Sequence, residues 1–201
     1  MDITATKGTD TKFCRLLSGI KVDSLSSLSL AIDQLHRNYK IPHVVITSVT
    51  FTAGAEKMLC VGSSMTSDGR PRKFAFDVEM IDGFYSGTGD MFAALTLARF
   101  RQEAEADGVL ACAAWRSPDH VPPLRLPLAR AIGRVLGSMH LVLVKTREAR
   151  DKELALYGDL KDGGDAQASH VRLTKASELR LVRCQRELQN PEVVHQAVEL
   201  E

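Results

Sequence analysis

The chain lacks the features that mark membrane-spanning, secreted and nucleic-acid-binding proteins. No apolar run approaches the ~18 residues that a membrane helix needs, and residues 1–7 contain no apolar signal segment. The formal net charge is only +1, which gives no support for general binding to a polyanion. We therefore expect no membrane partner and no nucleic-acid partner.

Metal-binding patterns of cysteine and histidine are also missing. The four cysteines, Cys14, Cys60, Cys112 and Cys184, lie far apart without a C-x-x-C pair, and the six histidines show no H-x-x-x-H spacing. A zinc site is not expected, and reduced thiols of a cytoplasmic protein are the default. The short basic cluster of Arg70, Arg72 and Lys73 is interpreted as a solvated loop.

What is present indicates one α/β domain. The chain has 201 residues, of which 44% are hydrophobic, enough to bury a core. Asp23 or Ser24 can cap a helix that ends before Pro42, and residues 43–49 read as a buried parallel strand. Residues 57–63 and 73–79 read as an antiparallel pair across a turn-rich link.

The second half of the chain is predicted to alternate loops with short elements. Residues 101–127 read as a surface insertion, with Trp115 anchoring it to the body rather than touching a ligand. A helix begins at Leu128, and residues 160–170 form a loop. Further predictions are a late strand at residues 178–182, a terminal helix starting at Pro191, and an unpatterned, disordered or aberrant end at residues 1–12.

Residues 86–92, Ser-Gly-Thr-Gly-Asp-Met-Phe, are the most informative segment. Gly87 and Gly89 can adopt the positive φ angles that turn backbone N–H groups toward one point, and a helix that follows adds its unpaired N–H groups. Together these form a phosphate site. A carboxylate beside a phosphate suits proton removal from a hydroxyl that attacks phosphorus, so Asp90 is the candidate base. The alternative is that Asp90 merely caps the helix and the glycines form a tight turn. Apolar residues at positions 91–98 leave almost no polar face, which predicts a helix buried all round and favours the functional interpretation.

Hydroxyl side chains follow the apolar run at residues 43–46. Ligands of open α/β sheets bind beyond the carboxyl ends of strands, which makes Thr47 and Ser48 candidate site residues. The alternative is that the β-propensity of threonine alone explains them.

Three segments together resemble the pyridoxal kinases of the ribokinase-like superfamily, especially the fungal form. They are V-V-I-T-S at 44–48, I-D-G-F-Y-S-G-T-G-D-M-F-A-A at 81–94, and E-L-R-L-V at 178–182 followed by N-P-E-V-V at 190–194. The resemblance covers residues 13–201. It implies a central, mostly parallel sheet with helices on both faces, and we expect this chain to lack the first strands of that sheet.

The resemblance also implies roles for individual residues. Asp90 would be the catalytic base, and Gly87, Thr88 and Gly89 would form the anion hole around the transferred phosphate. The ATP site would be lined by Thr47, Ser48, Ile81, Asp82 and Gly83. The implied reaction is ATP-dependent phosphorylation of pyridoxal, pyridoxine and pyridoxamine, with Mg²⁺ and a monovalent cation such as K⁺, by a cytoplasmic or nuclear homodimer.

Two departures from the family pattern point to alternatives. Family members are longer at the front, and the family's magnesium-associated acid falls on Cys14, a poor ligand for a hard cation; its asparagine falls on Thr11. A sheet cut along its middle would expose an apolar edge, so we expect low stability or aggregation. The alternatives are a truncated, non-catalytic fragment that binds nucleotide or a full-length partner, and a ribokinase-like kinase for another small molecule.

Overall fold

The computed structural model describes residues 4–6, 10–52, 55–157 and 166–200. Five strands form one sheet in the order β1-β2-β3-β4-β5. They are β1 (Thr4–Thr6), β2 (His43–Val49), β3 (Lys57–Met65), β4 (Pro71–Glu79) and β5 (Ala197–Leu200). The helices are α1 (Asp10–Ser18), α2 (Leu25–Tyr39), α3 (Thr88–Ala106), α4 (Pro127–Tyr157), α5 (Ala166–Ala176) and α6 (Gln185–Gln189).

The sheet lies between two helical layers, as the α/β prediction requires. Alternate residues along each strand face opposite layers. Val45, Phe74 and Phe76 belong to a core with α3 and α4, whereas Val44 and Val61 belong to a core with α1 and α2. Burial on both faces explains why the strand sequences are nearly continuous apolar runs.

The strand directions correct the prediction of a mostly parallel sheet. Only β1 and β2 pair in parallel; β2–β3, β3–β4 and β4–β5 are all antiparallel. The physical reason is that the segments joining β2 to β3 (residues 50–56) and β3 to β4 (residues 66–70) are short, and a parallel pair needs a longer crossover. The antiparallel pairing predicted for residues 57–63 and 73–79 is confirmed.

Several local predictions agree with the structure. Ser24 is the N-cap of α2 in a capping box with Ser27, which satisfies N–H groups of the first turn. The ring of Trp115 packs edge-on against Phe100 at 5.4 Å and joins the α3–α4 core, so it anchors the long loop as predicted.

The N-terminal segment contains backbone structure where an unpatterned end is predicted. β1 pairs with Val44–Ile46 of β2, and α1 begins at Asp10. β1 thereby covers the Val44–Ile46 part of a β2 edge whose backbone groups would otherwise be unsatisfied.

The prediction of an insertion over residues 101–127 is wrong at its start. α3 continues to Ala106, because the charged stretch is one face of a helix: Glu103 accepts hydrogen bonds from Arg130 at 2.8 Å and Arg134 at 3.1 Å on α4. The connecting loop is residues 107–126. α3 is also not buried all round, since Leu97 is 50% exposed while Phe100 is buried.

The basic cluster is buried rather than solvated, except for Arg70. Arg72 and Lys73 are 8% and 7% exposed. Lys73 pairs with Asp33 at 2.6 Å, and the Arg72 guanidinium donates to backbone carbonyls of the 107–126 loop. Both charges are tolerated inside because they are paired or hydrogen-bonded.

The secondary structure predicted for the C-terminal segment, a strand at residues 178–182 and a helix starting at Pro191, is wrong. Residues 181–184 form a 3₁₀ turn, with a single bridge between Ser86 and Glu178. α6 ends before Pro191, as is common for a proline that follows a helix, and the chain then forms β5 against β4. Of the loop predicted at 160–170, residues 160–165 lie outside the described residues, and 166–170 belong to α5.

α4 is the one helix in the described ranges that is long and apolar enough to cross a membrane by length and composition. Its most apolar stretch has a mean hydropathy of 1.2, and 61% of that stretch is buried inside the fold. Packing against the sheet and α3 accounts for its apolar character.

Candidate active site

The C-terminal end of β2 contains a bulge that forms one side of the site. Ile46 pairs with Val61 and Val49 with Leu59, so two residues, Thr47 and Ser48, lie opposite one on β3. Ser48 has φ 56, the left-handed region that non-glycine residues rarely adopt. Bulges re-aim side chains and often adjoin functional sites, and both residues line a cavity.

The start of α3 forms the opposite side. Gly87 is its N-cap, with φ 84 and no side-chain cap bond. The first N–H groups of the helix therefore lack an intrahelical acceptor, and the positive end of the helix dipole adds to their attraction for an anion. Gly87 has the left-handed conformation that the sequence predicts for this turn. Gly89, for which a positive φ is also predicted, instead has helical geometry in the first turn of α3.

Asp90 lies in the first turn of α3, three residues beyond the N-cap. The alternative that Asp90 caps the helix is therefore not what the structure shows. Asp90 lines the cavity together with Thr88 and Gly89, and the residue is exposed to solvent. A carboxylate here can accept a proton from a ligand hydroxyl that lies next to the helix N-terminus.

The cavity has a volume of about 480 Å³, within the range of small-molecule sites. It contains seven of the nine predicted site residues: Thr47, Ser48, Ile81, Gly83, Thr88, Gly89 and Asp90. Asp82 and Gly87 are not in the lining. The backbone of Asp82 instead accepts a hydrogen bond from the hydroxyl of the buried Tyr85 at 2.9 Å.

Other lining residues were not predicted from the sequence. α4 contributes Leu136, Met139, His140 and Leu143, β3 contributes Met58 and Cys60, and the loop before α3 contributes Phe84. The spacing of the α4 residues identifies an apolar helix face, but nothing in it distinguishes a cavity wall from a packed core. The lining thus combines an apolar wall with hydroxyl, backbone N–H and carboxylate groups.

Two imidazoles adjoin this wall. The rings of His140 and His195 lie 6.0 Å apart, edge to face, and a ring nitrogen of His195 lies 3.1 Å from the Asp77 carbonyl. Burial lowers the pKa of His195, so its neutral form is favoured. A neutral His195 can donate one hydrogen bond to that carbonyl.

The residues described do not form a protein-held metal centre. No group of three or more His, Cys, Asp or Glu side chains that could hold a metal ion occurs among them. The cavity itself is lined by two carboxylates, Asp90 and Glu79. Cys14, at the family's acid position, is buried in the core between α1, α2 and the sheet and does not line the cavity.

The chain is similar in sequence to pyridoxal kinases. No protein-family model matches the chain. A provisionally named pyridoxal kinase of Schizosaccharomyces pombe is 28% identical over 184 residues, which are 90% of this chain and 50% of that protein. The human pyridoxal kinase is 27% identical over 92% of this chain and 50% of its own length. The chain spans about half the length of the curated relatives it matches.

Solved structures of pyridoxal kinases have a fold similar to that of this chain. The pyridoxal kinase of Trypanosoma brucei superimposes with a TM-score of 0.64 at 25% identity, over 99% of this chain and 52% of that one. The pyridoxal kinase of Leishmania donovani, in complex with ADP and pyridoxine, has a TM-score of 0.65 at 22% identity and shares the fold. Fold and site therefore define a ribokinase-like α/β protein. In sequence, the chain is similar to pyridoxal kinases over about half of their length.

Proposed function

We propose that this chain carries the phosphoryl-transfer site of a pyridoxal kinase. The observation that carries the proposal is the juxtaposition of Asp90 with the uncapped N-terminus of α3 in one cavity. The unpaired N–H groups would bind the transferred phosphate. The neighbouring carboxylate would act on the hydroxyl that attacks it.

The proposed reaction transfers the γ-phosphoryl group of ATP to a hydroxymethyl group. The hydroxymethyl oxygen of pyridoxal, pyridoxine or pyridoxamine attacks the γ-phosphorus of ATP, while Asp90 takes its proton. The bond from phosphorus to the β-phosphate oxygen breaks, and ADP leaves. The backbone N–H groups of Thr88 and Gly89 stabilise charge on the transferred group, as fixed dipoles in an active site do.

ATP supplies the phosphate, and the proposed contacts for it are Thr47, Ser48 and the Ile81–Gly83 segment. The solved relatives support use of a nucleotide, because that of Leishmania donovani binds ADP and that of Plasmodium falciparum binds AMP-PNP. Mg²⁺ would shield the phosphate charges. Because the described residues do not fit a protein-held metal centre, we expect Mg²⁺ to enter with the nucleotide; a requirement for K⁺ is a further expectation.

The second candidate is nucleotide binding without turnover. The observation that favours it is Cys14, at the position of the family's magnesium-associated acid, which is buried in the core and does not line the cavity. The two candidates differ in one experiment, a titration of the purified chain with ADP followed by an assay with ATP and pyridoxal. Binding with product supports the kinase, binding without product supports the second candidate, and no binding of ADP contradicts both.

Assembly and location are proposals of the same kind. We expect a homodimer in the cytoplasm, with the nucleus as an alternative location, and no nucleic-acid or membrane partner. Sedimentation of the purified chain over a range of concentrations tests the dimer. A sharp monomer boundary throughout that range would contradict it.

A further inference from the structure

Arg150 of α4 contacts the loop that forms one wall of the cavity. Its guanidinium lies 5.6 Å from the centre of the Tyr85 ring, within the range of a cation–π contact. Its Nη1 lies 3.5 Å from the carbonyl oxygen of Asp82, a long hydrogen bond. The side chain is only 14% exposed, although it carries a charge.

The guanidinium is itself held in place. Two of its nitrogens contact one carboxylate oxygen of Asp151, Nε at 2.9 Å and Nη2 at 2.8 Å. Two nitrogens on one carboxylate fix the plane of the guanidinium, which lysine cannot reproduce. Asp151 therefore orients Arg150 toward the loop.

The loop fits this side chain only because residue 83 is glycine. Gly83 has φ +121, and a Cβ built there would overlap Nη1 of Arg150. The Tyr85 hydroxyl donates to the Asp82 carbonyl at 2.9 Å, so these two loop residues contact each other as well as Arg150 of α4. Ile81, Gly83 and Phe84 line the cavity, whereas Arg150 does not.

We propose that Arg150 is a positioning residue that holds the Ile81–Tyr85 loop in the shape that binds the nucleotide. The inference rests on the proposed function, because it takes ADP or ATP as the ligand. A loop fixed before binding loses less conformational entropy when the ligand arrives, and affinity rises accordingly. Loss of Arg150 should therefore weaken nucleotide binding without changing the chemical step.

The test compares ADP affinity by calorimetric titration for the wild-type chain, Arg150→Ala, Arg150→Lys and Arg147→Ala. Arg147 is the matched control, because it lies one turn earlier on α4 and its substitution removes the same charge. We expect Arg150→Ala to weaken ADP binding about three- to tenfold, a typical range for loss of a partly buried cation–π contact. Arg150→Lys should recover part of the affinity, and Arg147→Ala should change it less than about twofold.

A double-mutant cycle with Tyr85→Leu separates positioning from general destabilisation. If Arg150 acts through the loop, its removal in the Tyr85→Leu background should cost little more ADP affinity. In turnover, Arg150→Ala should raise the KM for ATP and leave kcat unchanged. Equal losses for Arg150→Ala and Arg147→Ala, or no loss at Arg150, would overturn the inference while the kinase assignment stands. Failure of the wild-type chain to bind ADP would overturn both.

Discussion

Nε2 of His43 on β2 lies 2.7 Å from the carbonyl oxygen of Ala114, in the long loop between α3 and α4. A nitrogen so close to a carbonyl is the donor, so Nδ1 accepts a hydrogen bond from the Ser64 hydroxyl at 2.8 Å. Ala114 and Trp115 both have φ 54, and such strained conformations persist only where the surroundings enforce them. His43 is one of the contacts that do so.

The first prediction is a dependence of stability on pH. Burial lowers the pKa of His43 from 6.5 to about 4, and burial likewise lowers that of His36. Between pH 6.5 and about 4, the unfolded chain binds a proton at His43 that the folded chain does not. The free energy of unfolding therefore falls as pH falls from 6.5 toward 4. His43 alone would account for roughly 3 kcal/mol.

Urea unfolding at pH 7, 6 and 5 measures this dependence. A His43→Gln variant should show a flatter dependence even if its stability at pH 7 is lower. The exposed His120 supplies the control, since His120→Gln should leave the wild-type dependence in place. Identical pH dependences for wild-type and His43→Gln would contradict the account.

The second prediction concerns Arg72, whose guanidinium donates to four carbonyls. These belong to Pro118 at 2.8 Å, Val121 at 3.0 Å, and Met65 and Ser117 at 3.3 Å each. Arg72→Met leaves buried carbonyls without donors, and we expect a loss of about 3 kcal/mol with faster proteolysis in the 107–126 loop. Lysine should not rescue it, because it lacks the planar fork.

Arg70 is the matched control for Arg72. Its ion pair with Asp68 at 2.8 Å has side chains 75% and 52% exposed, and exposed pairs contribute about 0–1 kcal/mol. Arg70→Met should therefore unfold at nearly the wild-type urea concentration. Equal effects at the two positions would refute the role assigned to Arg72.

The third prediction uses two glycines one turn apart on α4. A Cβ at Gly137 would overlap the backbone carbonyl of Glu192, whereas a Cβ at Gly133 would meet side chains no closer than 3.5 Å. Gly137→Ala should therefore lower the free energy of unfolding by about 1–3 kcal/mol. Gly133→Ala should be neutral or stabilising by up to ~1 kcal/mol. Thermal unfolding of both variants measures these changes. A Gly133→Ala variant less stable than Gly137→Ala would be inconsistent with this packing.

The fourth prediction tests the strained residue of the β2 bulge. Glycine adopts the φ of 56 found at Ser48 without a steric cost, so Ser48→Gly should keep or raise stability by up to ~1 kcal/mol. Ser48→Val should lower it by about 1–2 kcal/mol, because a β-branched residue disfavours this region. If Ser48 contacts the nucleotide, Ser48→Gly should also bind ADP more weakly. A valine variant as stable as wild type would contradict the assigned backbone geometry.

Short sequence patterns predicted individual helices and strands better than they predicted how those elements pack together. The Ser24 cap and the β3–β4 hairpin follow from neighbouring residues, so the sequence shows them directly. The burial of Arg72 does not, because the carbonyls that bind it lie mostly in a loop far along the chain. Strand direction between β2 and β3 likewise depends on how the connecting segment turns.

The same limit applies to the site. Glycines and an isolated acid before an apolar helix predicted the α3 side of the cavity, and hydroxyls after an apolar run predicted the β2 side. His140 and Phe84 were missed because their place in the lining depends on how α4 and the loop before α3 pack. Arg150 was missed because its role depends on contacts with Tyr85 and Asp82, which lie far away in sequence.

The most direct test of the central claim is ATP-dependent conversion of pyridoxal to its 5′-phosphate by the purified chain, with Asp90→Asn as the paired variant. The amide keeps the size of the carboxylate and cannot accept the proton, so we expect a loss of kcat of about 10²–10⁴-fold with ADP affinity nearly retained. Turnover by wild type that the variant loses would support Asp90 as the base. Undiminished turnover in Asp90→Asn would contradict the account.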